Sequence, residues 1–202
     1  MRHEGSILQA LDLPVNLNDR RAPLWLGWVG LIVIEATLFA ALITSFFYLR
    51  ASSPEWPLGG IQRPDLLLPT AGTVLLLASS IPAYWADHRG RKGDLRSLLI
   101  GLIAGLIIIA VFLGLKIYEY SHTGYSWSTN AYGSVVFFIM GFHLSHVIAL
   151  VLKTIVVLAA AARGHFNQRR TVGIQTNGMY WHFVVIIWLP LYFTLYLSHY
   201  IF

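Results

Sequence analysis

Five stretches of this chain are apolar for about 20 residues or more, the length that a helix rising about 1.5 Å per residue needs to cross a hydrocarbon core of roughly 30 Å. They run Leu24–Tyr48, Leu66–Trp85, Leu98–Tyr118, Tyr132–Ala162 and Met179–Tyr200. Within lipid each backbone N–H and C=O must find its partner inside the structure, and segments of this kind do so as helices. The chain is therefore predicted to be an all-α membrane protein, a single transmembrane domain over 1–202 built as a five-helix bundle. The fourth stretch exceeds a perpendicular crossing and is expected to tilt or to project beyond the membrane. Pro69 falls in a first turn, where a missing N–H costs little, whereas Pro82 and Pro190 lie deeper and are expected to kink their helices. Small residues at helix-interface spacing, Gly101 with Gly105 and Ala159 with Ala162, permit close packing.

Composition narrows the function classes. Only 11% of the residues are charged and 56% are hydrophobic, far from a soluble protein, in which about a quarter are charged. The formal charge of +5 then reads as loop charge meeting anionic headgroups rather than as a nucleic-acid footprint. With no cysteine, disulfides, thiolate metal sites and iron–sulfur clusters are all excluded. The tail 1–22 carries Glu4, Asp12, Asp19, Arg20 and Arg21 with no apolar core of signal-peptide length, so the first stretch is expected to act as its own insertion signal.

Orientation follows from where Lys and Arg collect, because positive charge in short loops resists translocation. Arg2, Arg20, Arg21, Arg89, Arg91, Lys92, Arg96, Arg163, Arg169 and Arg170 fall on one side; Arg50, Arg63 and Lys116 fall on the other. The N-terminus is thus predicted to be cytoplasmic and the C-terminus outside. Aromatic belts agree, with Trp25, Trp28, Tyr84, Trp85, Tyr180 and Trp181 at the inner interface and Tyr48, Tyr118, Tyr120, Tyr196 and Tyr200 at the outer one. Asp87, Asp94 and Glu119 are placed at interfaces, where a charge needs no special account.

Few ionisable side chains fall deep in these segments, and each calls for a partner or a role, since one at mid-membrane costs at least about 2.5 kcal/mol. They are Glu35, His143, His146, Lys153 and His182. Glu35 lies about 11 residues into the first stretch and His146 a similar distance into the fourth, so both reach roughly 16 Å of depth. If those helices are neighbours, a Glu35–His146 hydrogen bond is predicted. His143 and His146, spaced i, i+3, share a face. Such a pair could also ligate a metal with a further donor, or two histidines could hold a haem, which keeps a stand-alone haem-b cytochrome in view. Bis-histidine ligation of two haems would need four deep histidines, so a hydrogen-bonded structural role is favoured. Lys153, about two turns from its helix end, is expected to snorkel towards headgroups. A transporter is disfavoured, because deep polar residues are few and no paired broken helices are evident.

Several ordered motifs resemble subunit III of the haem-copper oxidases. They are Trp28–Arg50 with its buried Glu and terminal Tyr-x-Arg, Ser79-Ser80, Gly114 followed by Tyr118-Glu119-Tyr120, and Tyr132-Gly133-Ser134. The most specific are Gly141-Phe142-His143-Leu144-Ser145-His146-Val147 and Tyr180-Trp181-His182-Phe183-Val184. Together they span the chain from about Trp25 to its C-terminus. The family has seven-helix members and shorter ones without the first two helices, and this chain is similar to the shorter, bacterial form. The resemblance implies a non-catalytic subunit of a proton-pumping oxygen reductase, in a bacterial inner membrane, beside a catalytic subunit I and a subunit II. It implies no haem or copper on this chain, both being held by the catalytic subunit, and bound phospholipid as its own ligand. Glu35 would be the buried carboxylate that supports proton uptake, and His143, His146 and His182 would line or brace its cleft. Arg89, Arg91, Lys92, Lys153, Arg169 and Arg170 would meet lipid headgroups. A quinol oxidase subunit or a nitric oxide reductase accessory protein of the same family is the alternative. The family's usual Asp three positions after the last of these histidines is Val185 here, which puts a proton-antenna role for that helix in doubt.

Overall fold

A computed structural model describes residues 23–166 and 171–201. Five helices long and apolar enough to cross a membrane run through it: α1 Pro23–Ala51, α2 Leu67–Arg91, α3 Leu95–Ser121, α4 Ala131–Ala162 and α5 Val172–Tyr192. A π-helical turn, Phe193–Leu197, and a last helical turn, Ser198–Ile201, carry α5 to the end of its span. A 3-10 turn, Leu58–Gly60, interrupts the link between α1 and α2. No strand occurs among the described residues. We call the end holding the start of α1 and the α2–α3 turn the basic end, after Arg89, Arg91, Lys92 and Arg96.

Helices run further than their apolar cores for local reasons. At the end of α2, Arg91 pairs one turn back with Asp87. The chain then turns through Gly93, at a φ of 87° that suits glycine, and Asp94 caps α3 by accepting from the Ser97 backbone N–H at 3.1 Å. Asn130 caps α4 in the same way, accepting from the Gly133 N–H at 2.9 Å and donating to the Leu58 carbonyl at 2.9 Å. The largest difference is at α5, which begins at Val172 rather than Met179. Its first turns are polar, yet Thr176 and Asn177 are buried: Thr154 donates to Asn177 Oδ1 at 3.2 Å and Lys153 to the Thr176 carbonyl at 2.8 Å. Partners from α4, rather than apolarity, permit that extension.

Lipid tails are as apolar as leucine, so close van der Waals approach and interhelical hydrogen bonds hold such a bundle together. Both operate between α2, α3 and α5. A Cβ on Gly101 would stand 2.8 Å from Ala86 Cβ and from the Pro82 carbonyl oxygen, and one on Gly105 would stand 2.8 Å from the Trp181 ring. Only hydrogen fits at either place. The indole N–H of Trp181 donates to Ser79 Oγ at 3.1 Å, and that of Trp188 to Thr73 Oγ1 at 2.9 Å. Trp181, expected in the inner belt, is fully buried as a result. Pro82 and Pro190 both lie inside helices, and the π-helical turn follows Pro190 by three residues.

Candidate functional site

Glu35 and His146 stand near the middles of α1 and α4, and the structure brings them together: His146 Nε2 lies 2.9 Å from Glu35 Oε2. On its other side, His146 Nδ1 lies 2.7 Å from the Phe142 carbonyl oxygen, one turn back on α4. A carbonyl can only accept, so Nδ1 carries a proton. The contact with Glu35 then holds one further proton, either on a carboxyl donating to a neutral ring or on an imidazolium donating to a carboxylate. Both forms are neutral overall, which is what a low-dielectric seam tolerates. The pair therefore shares one proton. His146 is 9% exposed and Glu35 22%, so the carboxyl keeps an open edge on the outside of the described bundle. Around it Phe39 packs on Phe142 at 4.9 Å and on His146 at 5.0 Å.

The remaining predicted residues divide. His143, 1% exposed, lies one turn from His146, with Nε2 3.2 Å from the Val184 carbonyl oxygen and its ring 4.7 Å from that of Trp188. His182 does not join them: it sits on the α2 side of α5, its ring 6.4 Å from Tyr84. The reason is angular: Tyr180, its ring 5.8 Å from that of Trp28, turns to the α1 side, and a residue two positions on does not share that face. Lys153, expected to meet headgroups, has partners inside the bundle. Its ammonium does point to the basic end, but it donates to the Thr176 carbonyl and lies 3.2 Å from the centroid of the Trp28 ring. Both partners lie within the bundle. Arg89, Arg91 and Lys92 are exposed at the α2–α3 turn, while Arg169 and Arg170 lie outside the described residues.

A second polar cluster went unread in the sequence. Lys116, counted there among outer charges, is 1% exposed. Its Nζ donates to Glu119 Oε2 at 2.7 Å and to the Tyr196 hydroxyl at 3.1 Å, and Tyr196 donates in turn to Glu119 Oε1 at 2.5 Å. The ammonium also lies 4.6 Å from the Trp188 ring centroid, so Trp188 stands between this cluster and His143. Lys-x-x-Glu at i, i+3 near the end of a long apolar helix was the available signal. Glu119 and Tyr196 wall a cleft of about 720 Å³ under the 59–65 segment.

Among the described residues no three His, Cys, Asp or Glu side chains come together as a metal-binding group. His143 Nε2 and both nitrogens of His146 already have protein partners.

Comparison with known proteins agrees with the motifs. The family model of cytochrome c oxidase subunit III matches residues 18–200. Among curated relatives, cytochrome c oxidase subunit 3 of Thermostichus vulcanus is 32% identical over 173 residues, covering 85% of this chain and 86% of that one. The same subunit of Synechocystis is 32% identical over 174 residues, 85% of this chain and 74% of the relative. That of Neurospora crassa is 35% identical over 178 residues, 85% of this chain but 66% of a longer relative. Glu35, His143 and His146 all fall within the matched length, and this five-helix membrane chain belongs to the cytochrome c oxidase subunit III family.

Proposed function

We propose that this chain serves as the non-catalytic subunit III of a proton-pumping haem-copper oxygen reductase and that the Glu35–His146 pair is its working centre. The observation that carries this is the contact itself: with His146 Nδ1 on the Phe142 carbonyl, Nε2 faces the Glu35 carboxyl at 2.9 Å, and the two share one proton across the seam between α1 and α4. Proton uptake by a neighbouring catalytic subunit, which holds the haem and copper, is the process such a site would support. The names of the matched relatives favour cytochrome c as the electron donor. In this reading a subunit II completes the complex, and Arg89, Arg91 and Lys92 meet phospholipid headgroups. The basic end faces the cytoplasm of a bacterial inner membrane.

In the assembled complex Glu35→Gln should leave the visible haem spectrum unchanged while slowing proton uptake or shortening the active lifetime during turnover. Loss of haem on that substitution, or wild-type uptake and lifetime, would count against the proposal. Orientation is open to a clean test because the chain has no cysteine of its own. A single cysteine replacing Lys92 should react with impermeant reagent from the cytoplasmic side, and one replacing Gln62 from the other.

A further inference from the structure

Facing residues of α1 and α4 keep one antiparallel register. Trp28 faces Lys153, Glu35 faces His146 and Phe39 faces Phe142. Seven residues forward on α1 match seven back on α4, and the next four match four. Seven residues are close to two helical turns, so the Trp28–Lys153 rung lies about 10 Å below the Glu35–His146 rung on the same two faces.

On the basic-end side of Glu35 no described side chain of α1 is fully buried, and Trp25, Trp28, Val29 and Ile32 are half-buried. Phe39 and Phe46 are its only buried residues among those described, and both lie beyond Glu35, away from the basic end. Below Glu35 the Trp28 ring lies 5.8 Å from that of Tyr180 on α5, with the Lys153 ammonium beneath it. That ammonium is itself anchored on the Thr176 carbonyl, so one side chain of α4 ties α1 to α5.

We propose that Lys153 is a positioning residue for the proton site: it seats the basic-end half of α1 and thereby holds Glu35 on His146. The importance of this seat for proton uptake rests on the function proposed above, whereas the seat itself does not. A neutral side chain of the same length would fill the space but could not bridge a π-face and a carbonyl. Its loss should raise the undocked fraction of that half of α1 by roughly 30-fold, the equivalent of a desolvated cation–π contact.

The test uses the assembled complex with Lys153→Met, which keeps the stem, and Lys153→Arg, which keeps the cation. Two readouts report position directly. One is the distance distribution between spin labels at Gly27→Cys and Val156→Cys, both exposed sites. The other is the set of infrared carboxyl and carboxylate bands that vanish in Glu35→Gln. Lys153→Met should broaden the distances and shift those bands, and Lys153→Arg should restore both. Should the methionine variant fail to assemble, Trp28→Leu removes the same contact from the α1 side and should give the same two changes. Unaltered distances and bands in whichever variant assembles would overturn the proposal. If both change while Glu35→Gln leaves both proton uptake and turnover lifetime intact, the positioning role stands and the functional reading falls.

Discussion

The α2–α3–α5 core and the α1 seam solve the same problem in opposite ways. In the core, glycine lets backbones touch, as at Gly101 against Pro82, and tryptophan N–H groups find hydroxyls on α2. In the seam, two glycines of α1, Gly27 and Gly30, have nothing within 4 Å of a built Cβ, and adhesion comes from rings and a few polar rungs. Where no hydrophobic force favours association, close contact makes a rigid unit, and sparse polar contact makes one that can be adjusted. The one-proton pair is on the adjustable side.

That contrast can be broken most forcefully at Lys116. Glu119→Ala would leave a buried ammonium without its carboxylate, and the expected cost is about 3–5 kcal/mol, read from denaturant unfolding in detergent. A cost near that of an ordinary surface substitution would mean that this end of the bundle is not rigid. Glycine exchanges sharpen the comparison from both sides. Gly101→Leu should destabilise by about 1–3 kcal/mol through overpacking. Gly30→Ala, with open space around it, should be neutral or stabilising by up to about 1 kcal/mol. Equal effects at the two positions would erase the distinction between core and seam. A smaller loss, about 1 kcal/mol in thermal unfolding, is expected for Asn130→Ala, which removes the cap of α4 and its bond to Leu58.

The smallest effect concerns pH. Hydrogen bonds from the Ser97 hydroxyl and N–H hold the Asp94 carboxyl below its ordinary range. A carboxylate depressed by folding contributes stability that is present above its unfolded pKa and lost as pH falls through the folded one. Thermal stability should therefore decline below about pH 4, and Asp94→Asn should flatten that part of the profile. An unchanged slope in the variant would assign the decline to other groups.

Much of the site was legible before any tertiary contact was known. Depth along a helix is a matter of counting residues, so Glu35 and His146 could be placed at one level, and the i, i+3 spacing put His143 beside them. Angle around a helix could not be counted in this way. These segments are apolar nearly all round, and periodicity then does not say which face turns inward. For that reason His182 was grouped with histidines it does not meet, and Lys116 was counted among outer charges although it is buried against Trp188 and Tyr196.

By itself the sequence determined the solvent, the number of helices and the common depth of Glu35 and His146, because length, hydropathy and rise per residue suffice for each; that the two meet depends on α1 and α4 being neighbours. Tertiary structure decided the register of α1 on α4, the destination of Lys153 and the early start of α5. Those depend on which partner lies within reach of a side chain's end, and that is settled only when five separate helices have taken their places around one another.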